Sequence, residues 1–492
     1  MKNKSNYRYL EVVIVLILIV AFFKFRLNEI SYGLPYFWNQ DEIAFQGSIL
    51  SSFSILTGYF ESNYNPFYVS FFNLVLILNS IFLNEFLINS LDFDQIKLKI
   101  YFNTELFVFY GRLASLIISS FSIFILYLIF KRFKINSVIR ITLLITFITS
   151  LVLFNVSTIM SKNSSYLLIY LLQLYYLIKF QIKIEKFNFK SYLIFGILAS
   201  LAWGVNYWSA FVSIYAVCIL HIIKYRFSKI NYFVSFLITF LLFGIIANSF
   251  FTGGKGPIYW MVPSDHLENF TLSLLIKLAI TDIIEGFRII FLTEKNFYLL
   301  LIVSPIFLLS RFTKFKKEFL IVLFLIFEPI ILFALSEKMI PQLRYFAGIN
   351  CIILILTALV FNELNKINSK YFIMFLLIFN IYLISDNVLK NNQINNLLSK
   401  NNTFFHFNEN IGVSYPKVLY LVDLNFQESL KQNNYYVKLY NNGLIKKNDI
   451  TKKFYNNIKQ KIVKIKNTGK VTIDDINLKK NLLYFNCKYL NY

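Results

Sequence analysis

The chain has 492 residues, of which 57% are hydrophobic and only 15% charged. Soluble domains carry about 25% charged residues, so the composition excludes a soluble globular protein and indicates an integral membrane protein with many spans rather than one anchor. The net charge of +23 does not make nucleic acid a partner, because the Lys residues sit at segment ends and in the tail rather than in one patch.

The first apolar run, about residues 9–27, follows Lys2, Lys4 and Arg8 and precedes no small-residue cleavage site, so it reads as a retained span. Basic clusters then recur at Lys131-Arg132-Phe133-Lys134, at Lys183, Lys186 and Lys190, at Lys224, Arg226 and Lys229, from Arg311 to Lys317, and at Lys366 and Lys370. Placing all of them on the cytoplasmic side satisfies the positive-inside rule. The intervening loops then face outward.

The expected spans are 9–27, 108–130, 136–156, 165–182, 191–205, 208–224, 231–250, 296–310, 318–335, 345–361 and 371–385, each near the ~20 residues that cross a hydrocarbon core. The segment 66–87 is apolar enough to span. Doing so would put the Lys131 cluster outside, so it is read as lying along or dipping into the outer leaflet, where its Phe and Tyr suit the interface. After Asp386, long apolar runs give way to Asn, Lys and short alternating stretches such as Val418-Leu419-Tyr420-Leu421-Val422. The expected fold is therefore mainly α: a polytopic transmembrane protein of about 11 spans. It has a membrane-surface helical first outer loop and a small C-terminal α/β domain. Residues 1–385 form the membrane domain and residues 386–492 the small extracytoplasmic one.

The stretch Phe37-Trp38-Asn39-Gln40-Asp41-Glu42 sets two adjacent carboxylates in the first outer loop, and no Lys or Arg lies between Arg26 and Lys97 to neutralise them. A carboxylate at the membrane edge can take an acceptor's proton. Its oxygens can also hold a divalent cation such as Mg or Mn, the only cofactor the sequence suggests. A solvated acidic turn is the plainer reading. Further along the same loop, Glu61, Tyr64 and Asn65 precede Pro66 in a polar and aromatic turn that could line a sugar or lipid-phosphate site.

Ser161-Lys162-Asn163-Ser164-Ser165-Tyr166 opens a helix on an outer loop. A helix start with a nearby Lys can hold a phosphate, and Tyr166 lies one turn in. Arg344-Tyr345 sits at the outer end of a late span, where a guanidinium can pair with a phosphodiester or simply anchor the helix. Phe251-Thr252-Gly253-Gly254-Lys255-Gly256-Pro257 lacks the spacing of a nucleotide-binding loop and reads as a flexible outer loop. Cys218, Cys351 and Cys487 lie far apart, as do His221, His266 and His406, so no disulfide framework or zinc site is expected.

The ordered set resembles the GT-C superfamily, in its protein mannosyltransferase and aminoarabinose transferase branch (glycosyltransferase family 39 type). Asp41-Glu42 stands where that family has its first-loop acids, and Asn65-Pro66-Phe67-Tyr68 resembles its (H/K)PPLYY-type turn. Gly111-Arg112-Leu113-Ala114-Ser115 resembles its RL-S segment, and Ser161-Lys162 through Tyr166 its SR-x-x-x-Y segment. Gly196 through Tyr207 resembles its GLALLTKY-type hairpin, and Arg344-Tyr345 its late RY motif. Asn65, Asn206 and Lys162 depart from the family pattern, which has Lys, Lys and Arg there.

The resemblance covers about residues 9 to 385. It implies a polyprenyl-phosphate-linked sugar donor, an extracytoplasmic lipid, glycan or protein acceptor, and inversion at the sugar carbon. Asp41 would act as base, with Glu42 supporting it or binding a cation, while Arg344 and Lys162 hold the donor phosphate. The rival expectation is a lipid or polysaccharide transporter or flippase, which should carry ionisable residues at mid-span. Glu328-Pro329 is the main such feature. A non-catalytic scaffold with an outer sensor domain is the third.

Overall fold

The computed structural model describes residues 2–30, 104–205, 209–246, 346–366 and 377–389, with the isolated positions 298, 374 and 392. The described part is helical, with no strand among the described residues. Its elements are α1 (Lys2–Glu29), α2 (Thr104–Arg132), α3 (Ser137–Thr149), α4 (Leu151–Thr158), α5 (Asn163–Ile182), α6 (Phe189–Val205), α7 (Ala210–Tyr225), α8 (Ile230–Phe240), α9 (Ala347–Lys366) and α10 (Leu377–Leu389). A short 3-10 turn, Ile184–Lys186, precedes α6, and a π segment, Leu241–Ile246, continues α8.

Among the described residues, α2 over Phe109–Arg132 and α5 are long and apolar enough to cross a membrane, and the bent pair α3–α4 makes a third if counted as one span. These are the helices of a membrane protein. Apart from position 298, the expected segments 66–87, 296–310 and 318–335 lie outside the described residues, as does the expected C-terminal domain 386–492 apart from 386–389 and 392, where α10 runs on to Leu389.

α2 is the central helix, packed on α5 and also on α1 and α4. Two of its hydroxyls are bonded inside the helix: Ser120 Oγ donates to Leu116 O (2.9 Å) and Ser122 Oγ to Ile118 O (3.2 Å). A serine satisfied by its own backbone costs little where no water competes. The helix stops in a Schellman turn, with Ile135 N–H on Phe130 O and Lys134 N–H on Lys131 O. Lys134 occupies the left-handed position usually given to Gly, at φ 56°.

Long-range polar contacts sort the helix ends. At one end, Glu11 of α1 pairs with Arg140 of α3 at 2.6 Å, Arg132 donates to Tyr175 Oη at 2.8 Å, and Asn136 N–H donates to Asn362 Oδ1 at 3.0 Å. There too, Lys224 Nζ donates to Glu185 O at 2.9 Å. This basic end gathers the start of α1, α3 and α6 with the finish of α2, α5, α7 and α9. At the opposite end, Arg112 of α2 donates to Ile30 O just past α1, and Gly111 faces Met160. The helices therefore alternate in direction, as membrane spans joined by loops must.

The expected single span 136–156 is broken. α3 and α4 meet at 57° around Ser150. Ser150 is extended (ψ 144°), its Oγ accepts from Leu153 N–H at 3.2 Å, and its own N–H goes to Phe147 O. The serine caps α4 and so replaces the hydrogen bonds that a continuous helix would supply. Close approach of α6 to the α8–π segment rests on small residues: a Cβ on Gly196 would meet Thr239 Cβ at 2.7 Å, and one on Gly244 would meet Ser200 Cα at 3.2 Å.

Candidate functional site at the end opposite the basic turns

α1 ends on an apolar run interrupted by Arg26 and Glu29, which share one helix face at i, i+3. Arg26 Nη1 donates to Glu29 Oε2 at 2.6 Å, and both side chains are 2% exposed. The guanidinium lies over the Phe154 ring of α4 at 4.7 Å from its centroid, with Phe22 and Phe25 at 5.9 and 5.6 Å. A cation at a helix C-terminus also meets the negative end of the helix dipole.

Arg112 is fully buried and donates Nη1 to Ile30 O at 3.0 Å, so α2 grips the carbonyl from which the chain leaves toward Asp41. Beside it, Gly111 lies so close to Met160 that an added Cβ would overlap its sulfur. Met160 precedes Ser161, whose Oγ accepts from Asn163 N–H (3.3 Å) and Nδ2 (3.1 Å) and thereby shapes the start of α5. Lys162 sits at the cap position of α5, half-buried.

Tyr166, one turn further, is buried and packs on Tyr170 with ring centroids 5.7 Å apart. Gly348 of α9 faces both rings: an added Cβ would come within 2.9 Å of Tyr166 Oη and 3.0 Å of Tyr170 Cε1. The contact brings together two of the segments singled out in the sequence, because Phe346 to Gly348 follow directly on Arg344-Tyr345.

Of the expected site residues, Lys162 and Tyr166 are thus placed at one helix start. Asp41, Glu42, Glu61, Tyr64, Asn65, Arg344 and Tyr345 lie outside the described residues. The hairpin α6–α7 is set apart from Lys162. Gln173 Nε2 donates to Ser209 O (3.0 Å) and Ser213 Oγ (2.9 Å), which puts the start of α7 beside the middle of α5. From Asn163 to Gln173 is about 15 Å at a rise of 1.5 Å per residue.

Arg26 and Glu29 were not among the expected site residues, although their spacing at the close of an apolar run was a readable signal. Among the described residues no three His, Cys, Asp or Glu side chains come together as a metal site. The question of a cation rests on Asp41 and Glu42.

No protein family, no curated protein and no solved structure matches this chain.

Proposed function

We propose that the chain is a multi-pass glycosyltransferase of a plasma (inner) membrane. In this reading it moves a sugar from a polyprenyl-phosphate-linked donor to an extracytoplasmic lipid, glycan or protein acceptor. The supporting observation is the meeting of helix ends away from the basic turns. Arg112 holds the carbonyl of Ile30, eleven residues before Asp41, while Lys162 stands at the N-cap position of α5 and Tyr166 packs against the first turn of α9 just after Arg344-Tyr345. A reaction at the membrane surface needs an acid–base group and a phosphate-binding group from different spans brought to one end, and contacts between residues adjoining those segments support this reading.

In this reading Asp41 orients or deprotonates the acceptor, and Glu42 supports it or holds a Mg or Mn ion. Lys162 and Arg344 face the donor phosphate, while Glu61, Tyr64, Asn65 and Tyr345 line the sugar site. The basic ends are cytoplasmic, the full chain has about 11 spans, and residues 386–492 form a small outer α/β domain.

The test is incubation of the purified protein in lipid with a panel of polyprenyl-phosphate sugars, following donor cleavage. Asp41→Asn should lower transfer by about 10²–10⁴-fold with unfolding unchanged. Turnover like that of the unaltered chain in this variant would end the proposal.

The transporter reading keeps one observation in its favour. The α3–α4 break is a discontinuous helix at depth, and beside it Thr146 Oγ1 donates to Asn380 Oδ1 at 2.8 Å, while the buried Asn380 Nδ2 has no partner among the described residues. Against it, the ionisable groups of the described residues gather at the two ends: Glu11 with Arg140, and Arg26 with Glu29 and Arg112. Movement of a labelled lipid-linked glycan across sealed vesicles, with no new glycosidic bond, would select the transporter.

A further inference from the structure

At the basic end, two turns are locked into one platform. Lys224 Nζ donates to the carbonyls of Glu185 and Phe187, and Tyr225 Oη donates to Phe187 O at 3.0 Å. Tyr232 packs edge-on against both Phe189 (5.6 Å) and Tyr225 (5.8 Å). The half-buried cation is spent on this lock, and the others point outward: Lys183, Lys186, Lys190, Arg226 and Lys229 are all exposed. Glu185 is the only acid between residues 183 and 230.

Two further facts single out the turn between α7 and α8. Phe227 at its tip is 94% exposed, flanked by Arg226 and Lys229. Both flanking residues hold positive φ, Arg226 at φ 55°, ψ −110° and Lys229 at φ 57°, ψ 37°. Gly would take either conformation without strain, so the backbone alone does not call for a long cationic side chain here. A bare aromatic ring between two exposed cations, with Glu185 the one acid in the surrounding sequence, points to an anionic and partly apolar partner.

We propose that this platform is a docking surface for anionic phospholipid headgroups of the leaflet it faces. Arg226 and Lys229 pair with lipid phosphates, supported by Lys183, Lys186 and Lys190, and the Phe227 ring lies at the boundary between headgroups and acyl chains. The charge balance, the bare ring of Phe227 and the rigid link between the turns all fit this occupant, and none depends on the sugar-transfer reading.

The test uses the full chain reconstituted with equal phosphatidylglycerol and phosphatidylcholine, then released into detergent, with retained lipids counted by native mass spectrometry. The unaltered protein should keep phosphatidylglycerol in preference. The double variant Arg226→Gly/Lys229→Gly removes cations and strain together. Its unfolding midpoint in zwitterionic detergent should hold or rise, and its phosphatidylglycerol retention should fall by about fivefold per cation removed. Phe227→Ser should lower retention of both lipids.

Unchanged phosphatidylglycerol retention in the double variant overturns the proposal, as does an acidic polypeptide that co-purifies and displaces the lipid. Should the variant not fold, raising salt on the unaltered protein reads the same contact: retention that falls supports the docking surface, and a salt-independent preference overturns it.

Discussion

Buried charge at Glu11 and Arg140 stabilises only as a pair. The two side chains lie 2.6 Å apart and are each about 10% exposed, so removing one strands the other in a poorly solvated place. Glu11→Gln should cost roughly 3–5 kcal/mol, whereas Glu11→Leu combined with Arg140→Leu should be near neutral. Unfolding of the three forms in lipid bicelles checks the difference.

Two glycines differ in the same way by what surrounds them. Gly348→Ala pushes against the rings of Tyr166 and Tyr170, which cannot yield without moving α5, and should cost about 1–3 kcal/mol. Gly111→Ala meets the flexible thioether of Met160 and should cost less. A thermal unfolding series would rank them. The glycines were visible in the sequence, but their neighbours were not, because each partner comes from a helix many residues away.

The α3–α4 break shows where reading elements from composition stops. The stretch 136–156 is apolar enough to read as one span and holds no Pro or Gly, the residues that commonly mark a kink. Only Thr149-Ser150 carries the signal, and a serine within a span more often bonds back to its own helix, as Ser120 does. Ser150 does both: its Oγ donates back to Phe147 O at 2.7 Å and accepts from Leu153 N–H, which caps a new helix. Ser150→Ala should destabilise the bundle by about 0.5–2 kcal/mol, read as a shift in unfolding midpoint, because Leu153 N–H loses its acceptor. Elsewhere the apolar runs were enough to place elements: 108–130, 165–182, 191–205 and 208–224 correspond to α2, α5, α6 and α7 within a few residues. Helix ends shifted where capping or a short 3-10 turn, rather than hydrophobicity, decides them.

Across the molecule, the recurrence of basic clusters between apolar runs led to the expectation that successive helices alternate in direction. The contacts Glu11–Arg140, Arg132–Tyr175 and Lys224–Glu185 gather those clusters at one end among the described residues. The proposed topology predicts that, in a cysteine-free background, cysteines placed at positions 134 and 186 react with impermeant reagent only from the cytoplasmic side, and one at position 41 only from the other. Reaction of position 41 from the cytoplasm would remove the enzyme reading. The candidate site was legible in pieces, since Lys162, Tyr166 and the motif holding Arg112 were each picked out. Their grouping was not, because it depends on which helices touch.

The Glu11–Arg140 pair also sets a timetable for synthesis. Its members are 129 residues apart. At roughly 5–20 residues per second, a ribosome needs on the order of 6–26 seconds to bring the guanidinium into being after the carboxylate. During that wait the nascent first helix carries an acid with no mate from α3. Until α3 arrives, the carboxylate is best accommodated near the aqueous edge, and α1 reaches its final packing only when Arg140 supplies the counter-ion.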